Sequence, residues 1–188
     1  MLALLLSGTE ASLTTEFLTR GRYWEYATWL KSQDAETLHT YFGHAVSEDA
    51  IDELVNKFSA NNKSNHILVA KVNGKWVGTI HIAAHGREVE FGLMVAKQYR
   101  KLGVASVMME EAIIWSRNRS YTDLYMHCIT WNQPIKNLCL KHGLKARNML
   151  GNSEAKLELK SPTIITFFKE RIINAQRNWY GAIDAGRG

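Results

Sequence analysis

The length and composition of the chain fit a single folded domain. It has 188 residues, of which 46% are hydrophobic and only two are prolines. Such a composition provides a full core and excludes a disordered or repetitive chain. The 23 basic residues against 18 acidic ones give a net charge of +5. These charges are scattered along the sequence, which indicates a solvated basic surface and does not indicate a nucleic-acid partner.

The two cysteines, Cys128 and Cys139, provide no disulfide framework and no finger-like metal spacing. We therefore expect a reducing, cytoplasmic location and no metal. The opening residues 1–6 are apolar but lack a basic leader, and they are too few for a secretory signal or a membrane span. We expect them to form a buried edge of the fold, and no later stretch approaches the ~20 apolar residues of a transmembrane helix.

The first third of the chain is predicted to be helical. Asp34 or Ser32 can cap a helix that runs to Tyr41, and Ser47 can cap a second one with acidic residues in its first turn. Ahead of them, the aromatic run from Tyr23 to Trp29 predicts a first strand around residues 26–30.

A meander of three antiparallel strands is predicted next. Residues 67–72 and 75–82 flank Asn73–Gly74, a dipeptide typical of two-residue hairpin turns. A further turn at His85–Gly86 leads to a third strand at residues 88–95.

The remainder is predicted to alternate between helices and strands. A helix at 102–117 has a core face, with Glu110, Glu111 and Arg117 lying elsewhere on its surface. The core-face residues follow the helical period: Ala105, Met108, Met109 and Ala112. A strand at 123–130, a helix at 134–142 and a strand pair at 144–150 and 155–160 follow.

A final helix is predicted to start at Ser161–Pro162, a capping residue followed by proline at the first helical position. It carries an apolar stripe: Ile164, Phe168, Ile172, Ala175 and Trp179. This stripe either packs on the domain's own sheet or forms a homodimer contact.

The segment at 95–106 carries the clearest chemical signal, because a strand there ends in a small-residue turn and a helix begins. The first-turn N–H groups of a helix lack internal partners and favour anions, so this turn could hold a pyrophosphate. The N–H donors are those of Gly103, Val104, Ala105 and Ser106, and the nearby cations are Lys97, Arg100 and Lys101.

Two linked patterns resemble the GNAT acetyltransferase superfamily. Arg100, Gly103 and Ala105 match the Q/R-x-x-G-x-G/A loop of that family, and residues 131–144 are similar to its following asparagine-bearing helix. The resemblance implies an α+β fold with a central, mostly antiparallel mixed sheet of about six or seven strands, about four flanking helices and a C-terminal helix. It divides a single domain into an N-terminal extension (1–25), a core (26–160) and a helical appendage (161–188).

The resemblance also implies acetyl-CoA as co-substrate and a primary amine, on a small molecule or a peptide, as acceptor. Attack would be direct, in a ternary complex. The backbone of Leu93, Met94 and Val95 would bind the pantetheine arm, with an N–H of Met94 or Val95 polarising the thioester carbonyl. The pyrophosphate would lie on residues Arg100, Lys101, Leu102, Gly103, Val104, Ala105 and Ser106, and Asn132 would contact the cofactor from the far side.

The candidate catalytic residues are Glu90 and Cys139. Glu90 matches an acidic position of the family and would act as the base for the amine, with His127 as the alternative base. Cys139 stands where the family often has a tyrosine that protonates the departing thiolate.

Other functional classes have weaker support in the sequence. His81, His85 and His127 could converge, but no zinc motif, nucleophile elbow or Walker loop is present. A CoA-binding module without catalysis and an interaction domain with a merely structural glycine turn are the two alternatives to an enzyme.

Overall fold

The computed structural model describes residues 3–6, 9–129, 132–149 and 152–185. Within these residues one sheet holds eight strands in the order β1-β2-β3-β4-β5-β6-β8-β7. The strands are β1 (Ala3–Leu6), β2 (Thr9–Phe17), β3 (Asn65–Val72), β4 (Lys75–His85), β5 (Glu88–Val95), β6 (Asp123–Ile129), β7 (Lys145–Met149) and β8 (Asn152–Glu158).

Six α-helices are described around this sheet, with short 3₁₀ turns at Arg20–Arg22 and Lys97–Tyr99. The helices are α1 (Tyr23–Lys31), α2 (Ala35–Phe42), α3 (Glu48–Ala60), α4 (Val104–Asn118), α5 (Gln133–Lys141) and α6 (Ile164–Ala185). No helix in the described part of the chain has both the length and the apolar character needed to cross a membrane.

The α+β fold predicted from the resemblance is confirmed. The described sheet has eight strands, more than the expected six or seven, because residues of the supposed N-terminal extension form β1 and β2. β2 pairs with β3 along five residue pairs, from Leu13–Val72 to Phe17–Leu68. The polar sequence of β2 concealed this strand, since its alternation is weak.

The meander is confirmed in position and register. Asn73 and Gly74 both have positive φ, 49° and 76°, as the two central residues of a type I′ hairpin turn require. β3 pairs with β4, and β4 with β5, in antiparallel ladders. The only parallel pair described in the sheet is β5 with β6.

Two hydrophobic clusters cover the two faces of the sheet. On one face, α1 and α3 pack with residues such as Tyr26 and Leu30 against Ile67 of β3. On the other face, Met108 and Met109 of α4 are fully buried against the sheet, as their helical spacing predicted. Each such side chain contributes about 1.5–3 kcal/mol to folding.

The predicted strand around residues 26–30 is wrong, because these residues belong to α1. Tyr23, Tyr26 and Leu30 are buried at the i, i+3, i+7 spacing of a helix, and the dense aromatic run obscured this period. The two predicted caps are confirmed: Asp34 accepts a hydrogen bond from the Thr37 N–H at 2.9 Å, and Ser47 accepts one from the Ala50 N–H at 3.2 Å.

Glu111 of α4 was expected away from the core, yet it is only 7% exposed. β2 and α6 cover it: its carboxylate accepts a hydrogen bond from the Thr15 hydroxyl and pairs with Arg177 of α6. Burial raises the pKa of Glu111, while Thr15 and Arg177 oppose that rise. This buried ion pair attaches α6 to the body of the domain.

The last helix starts later than predicted. α6 begins at Ile164, and Thr163 caps it by accepting a hydrogen bond from the Thr166 N–H at 3.2 Å. The predicted stripe does not pack on the sheet, since Ile164, Phe168 and Ile172 are exposed. The side chain of Trp179 lies outside the described residues.

His81 connects the sheet to α3. Its ring stacks on Phe58 at a centroid distance of 3.9 Å. Its Nε2 bonds to Asn65 Oδ1 at 2.8 Å, and the Asn65 amide donates to Asn61 O. The amide nitrogen is thus engaged as a donor, so Asn65 Oδ1 accepts and His81 Nε2 carries the proton. Burial, with His66 and His85 nearby, lowers the pKa of His81 to about 4.

Stability should therefore fall in acid through His81. In the unfolded chain His81 has a pKa near 6.5, so it binds a proton below that pH. In the folded protein its pKa is about 4, so between these two pH values protonation favours the unfolded chain. Between pH 7.5 and 4.5 we expect a loss on the order of 2 kcal/mol in unfolding free energy from this one residue. Denaturant unfolding at both pH values measures it.

His81→Gln is the control, because glutamine retains an N–H donor for Asn65 but does not titrate in this range. The variant should lose less stability than the parent between the two pH values. An equal loss in both proteins would show that His81 is not the titrating group.

Candidate active site

A cavity of about 830 Å³ opens where β5 and β6 separate. The two strands pair at only three positions, Glu88–Asp123, Val89–Leu124 and Glu90–Tyr125. Beyond Glu90 they diverge, and α2, α3, the start of α4 and α5 contribute the remaining walls. A cavity of this size accommodates a small-molecule ligand.

The separation of the strands leaves one edge of β5 without a partner strand. The Ala96 N–H donates to Val77 O at 2.9 Å, which continues the ladder between β5 and β4. Because residues of an antiparallel pair alternate in direction, Leu93 and Val95 turn their backbone groups to the gap. Met94, predicted to share this role, turns its backbone groups to β4 instead, so it is not a donor to the gap.

At one end of the gap, the loop of residues 100–103 leads into α4. Gly103 has φ 85° and Lys101 has φ 64°, so both residues are in the left-handed region. The N–H groups of Ser106 and Val107 both bond to Gly103 O, at 3.0 and 3.2 Å. Among the described residues, no backbone acceptor serves the N–H groups of Gly103, Val104 and Ala105, the donors that the sequence predicted for an anion.

Ser106 differs from that expectation. Its N–H is engaged by Gly103 O, and its hydroxyl exchanges a hydrogen bond with His142 Nε2 at 3.0 Å. Ser106 therefore joins the first turn of α4 to the end of α5, and its N–H is not available to a ligand.

Arg100 also has a different role from the predicted one. Its guanidinium donates to Val95 O at 3.1 Å and to the Thr37 hydroxyl at 2.7 Å. Thr37 in turn donates to the N-cap carboxylate of Asp34. Arg100 thus holds the loop against β5 and α2.

The cations beside the loop are partly committed to other residues. Lys97 forms an ion pair with Glu36 at 3.0 Å. Lys101 lines the cavity, and so does Lys141 in the last turn of α5; neither forms an ion pair within the described ranges. The sequence reasoning missed Lys141, because it did not place the end of α5 beside the start of α4, where Ser106 and His142 are hydrogen-bonded.

Asn132 lies on the opposite wall, as predicted. Its side-chain oxygen accepts from the Ile135 N–H at 3.4 Å and so caps α5. Leu102 is the one residue of the predicted loop that does not line the cavity, since it packs against the core beneath α4.

At the other end of the gap, two titratable side chains face each other across the strands. The carboxylate of Glu90 on β5 lies 4.0 Å from Nε2 of His127 on β6. Both side chains are about half exposed and line the cavity. The structure therefore brings together the predicted base and its predicted alternative.

Tyr41 of α2 reaches the same place and was missed by the sequence reasoning. A Cβ atom built on Gly92 would lie 2.5 Å from the Tyr41 hydroxyl, so only glycine permits this contact. Burial raises the pKa of Tyr41, and Glu90 raises it further, which keeps the phenol protonated. Gly92 within a strand was the available signal, because such glycines mark a close approach.

The structure contradicts the proton-donor role predicted for Cys139. It is fully buried on the inner side of α5, with its Sγ 3.8 Å from Met126 Sδ. It is not part of the cavity wall. Its position in the core excludes direct contact with a ligand in the gap, so the predicted proton-donor role is wrong.

The histidines do not form a metal centre in the described ranges. His81 and His127 line the cavity, whereas His85 does not. Within the part of the chain that the structure describes, no three His, Cys, Asp or Glu side chains are grouped to hold a metal ion.

Known proteins share this architecture. The GNAT domain of the Streptomyces lividans protein PAT superposes with a TM-score of 0.68 at 16% identity, covering 84% of this chain and 95% of that one. Spermidine N-acetyltransferase from Vibrio cholerae, solved with CoA and spermine, gives 0.64 at 17% identity, covering 78% and 95%. A GNAT-family acetyltransferase from Streptococcus pneumoniae gives 0.61 at 20%, covering 79% and 100%.

A family model described as "Acetyltransferase (GNAT) family" matches residues 22–144. The matched segment runs from the start of α1 to the end of α5 and so contains the gap, the first turn of α4 and Glu90. Because it spans more than half of the 188 residues, the chain belongs to the GNAT acetyltransferase family.

Proposed function

We propose that this protein is an N-acetyltransferase that transfers the acetyl group of acetyl-CoA to a primary amine by direct attack in a ternary complex. The observation that carries the proposal is the gap between β5 and β6, with unpaired N–H groups of α4 at one end and Glu90 and Tyr41 at the other. The solved V. cholerae relative, a complex with CoA and spermine, supports this use of the fold. Residues 1–188 would act as one domain, and the cysteine content supports a cytoplasmic location.

Acetyl-CoA would bind with its pyrophosphate at the start of α4. The N–H groups of Gly103, Val104 and Ala105, with the helix dipole, stabilise negative charge. Lys101 and Lys141 add two cations on the wall of the same cavity. The pantetheine amides would bind the backbone groups of Leu93 and the N–H of Val95 in the gap, since Val95 O already accepts from Arg100.

The reaction needs a neutral amine, an electrophilic carbonyl and a protonated leaving group. Glu90 takes a proton from the acceptor ammonium, directly or through water. The amine nitrogen bonds to the thioester carbon, and the N–H of Val95 or Leu93 stabilises the developing oxyanion. As the C–S bond breaks, the Tyr41 hydroxyl donates its proton to the CoA sulfur. The second proton that leaves the amine nitrogen restores the Tyr41 phenol, through water, and Glu90 releases the first proton to solvent. The products are an N-acetyl amine and free CoA.

The acceptor would enter from the side of α2 and α3. There the wall contains the aromatic rings of Tyr41, Phe42 and Phe58 and the neutral ring of His81, next to the carboxylate of Glu90. A carboxylate with aromatic surfaces attracts an ammonium group and tolerates the apolar chain that carries it. A small-molecule or peptide amine fits this wall.

Gly103→Val should weaken acetyl-CoA binding at least tenfold. Valine is strained at φ 85° and would move the N–H groups of the first turn away from the phosphates. Isothermal titration of the parent protein should give micromolar affinity, about −8 kcal/mol.

The matched control is Gly74→Val, at φ 76° in the hairpin turn between β3 and β4, where a Cβ meets nothing within 4 Å. This variant has the same backbone strain but lies outside the cavity, so its acetyl-CoA affinity should equal that of the parent. If the parent protein and both variants bind acetyl-CoA with equal affinity, the first turn of α4 is not the binding site of the pyrophosphate.

Glu90→Gln should lower kcat/KM for amine acetylation about 10²–10⁴-fold, as expected for loss of a general base. The pH–rate profile should change, while acetyl-CoA affinity stays unchanged. Glu88→Gln is the control, because Glu88 lies on the same face of β5 but outside the cavity wall. If Glu90→Gln retains the parent profile, the base is another group, with His127 the next to test.

Tyr41→Phe should lower kcat about 10–100-fold with little change in acetyl-CoA affinity, because phenylalanine keeps the ring but cannot protonate the sulfur. Tyr26→Phe provides the comparison, since the Tyr26 hydroxyl lies 3.4 Å behind that of Tyr41 and away from the cavity wall. Equal losses of kcat in the two variants would indicate a structural role for the hydroxyl pair. Acetyl-CoA binding without turnover in the parent protein would instead favour a non-catalytic CoA-binding module.

A further inference from the structure

α6 packs on the domain through its polar side. Glu170 accepts from Asn118 at 2.6 Å and from Arg119 at 2.9 Å, and both partners are at the end of α4. In the first turn of α6, Thr166 is 95% buried against the same region. Towards the other end, Arg177 donates to Thr15 O at 2.5 Å and pairs with the buried carboxylate of Glu111. The face that α6 turns to the domain is thus held by ion pairs and hydrogen bonds.

The opposite side of α6 is apolar and exposed. Five large side chains occupy it, with exposed fractions of 47–76%: Ile164, Ile165, Phe167, Phe168 and Ile172. At 100° per residue these positions fall on one side of the helix, and the exposed side chain of Arg171 falls among them. We call these five residues the apolar face of α6. An amphipathic helix usually turns such a face to the core, and here the orientation is reversed.

The size of the apolar face matches a protein interface. Taking about 200 Å² for a fully exposed residue of this size, the five residues expose about 600 Å². This area is at the upper end of what a monomer leaves exposed in one patch. Two copies buried against each other would remove about 1,200 Å² from water, which reaches the lower end of stable, specific interfaces.

The face is also preformed. The buried Glu111 carboxylate depends on Arg177, so α6 cannot roll to bury its apolar side without leaving that carboxylate uncompensated. A surface that is fixed before association loses little conformational entropy when a partner binds.

We propose that the apolar face of α6 binds the same face of a second copy of this chain, forming a two-fold symmetric dimer. Two-fold contacts, in which one patch meets the same patch of a second copy, are the commonest among soluble oligomers. None of the five residues lines the cavity between β5 and β6. Each copy therefore keeps its own open site, and the dimer does not depend on the proposed acetyl transfer.

The test is the molar mass of the purified full chain by sedimentation equilibrium at several concentrations. The parent protein should have about twice the chain mass of 21.4 kDa. Phe168→Glu, which adds a charge at the centre of the face, should sediment as a monomer. It should retain the parent circular dichroism and acetyl-CoA affinity, because its side chain is 62% exposed. Ile164→Glu, at a position that is 76% exposed, is a second variant that should give the same result.

Trp24→Glu is the matched control. Trp24 is another large apolar side chain, 65% exposed, but it lies on α1. This variant should remain dimeric. A monomeric parent protein, or a Phe168→Glu variant that stays dimeric, would overturn the proposal.

Co-sedimentation with anionic phospholipid vesicles tests whether a membrane surface binds the face instead, since Arg171 is exposed within the apolar face and Lys169 is exposed at its edge. A monomeric parent that binds these vesicles, and loses this binding on Phe168→Glu, would assign the face to a membrane surface and contradict the dimer.

Discussion

The separation of β5 and β6 after three residue pairs is the constraint on which the rest of this structure depends. Backbone N–H and C=O groups of a strand need partners, and an interior strand normally finds them on both sides. Past Glu90, β5 has a partner strand only in β4, because β6 has diverged. The edge that faces the gap therefore presents an ordered row of donors and acceptors, with Leu93 and Val95 in it. An extended ligand with amide groups can complete this edge much as a strand would.

The elements around the gap are held so that its two ends have different chemistry. Arg100 joins the loop to β5 and α2, and Ser106 joins α4 to α5. The first turn of α4 therefore faces the gap, and within the described ranges the N–H groups of Gly103, Val104 and Ala105 have no backbone acceptor. At the opposite end, Gly92 lets the Tyr41 hydroxyl approach the backbone of β5 next to Glu90. Backbone donors and titratable side chains thus lie at the two ends of one strand. We propose that they serve the phosphates and the reactive thioester of one long substrate.

Local patterns in the sequence predicted the parts of the structure that depend on neighbouring residues. Asn73–Gly74 predicted the hairpin because both positions need positive φ, and Asp34 and Ser47 predicted helix starts because their side chains accept from the next turn. Gly103 indicated the turn that leads into α4, because a glycine accepts the positive φ found there. The aromatic run of α1 was misassigned to a strand, since its buried spacing became clear only with α3 and β3 packed against it.

Residues whose environment depends on distant elements could not be predicted. The sequence pattern of α4 placed Glu111 on the surface, but in the structure β2 and α6 cover it. Cys139 matched a family position in sequence, but the rotation of α5 turns it to Met126 and the core. Tyr41 came from a helix far from the motif, and its approach to Gly92 depends on how α2 sits on the sheet. The exposed apolar side of α6 also followed from a long-range contact, the ion pair of Arg177.

Amide hydrogen exchange with and without acetyl-CoA tests the central claim most directly, because it reports on individual backbone groups of the gap. Acetyl-CoA should slow exchange at the amides of Leu93 and Val95 and at the first turn of α4, with the Met94 amide, already bonded to β4, little changed. Unchanged exchange in β5 and the first turn of α4, or protection confined to the region between α6 and β2, would contradict the account.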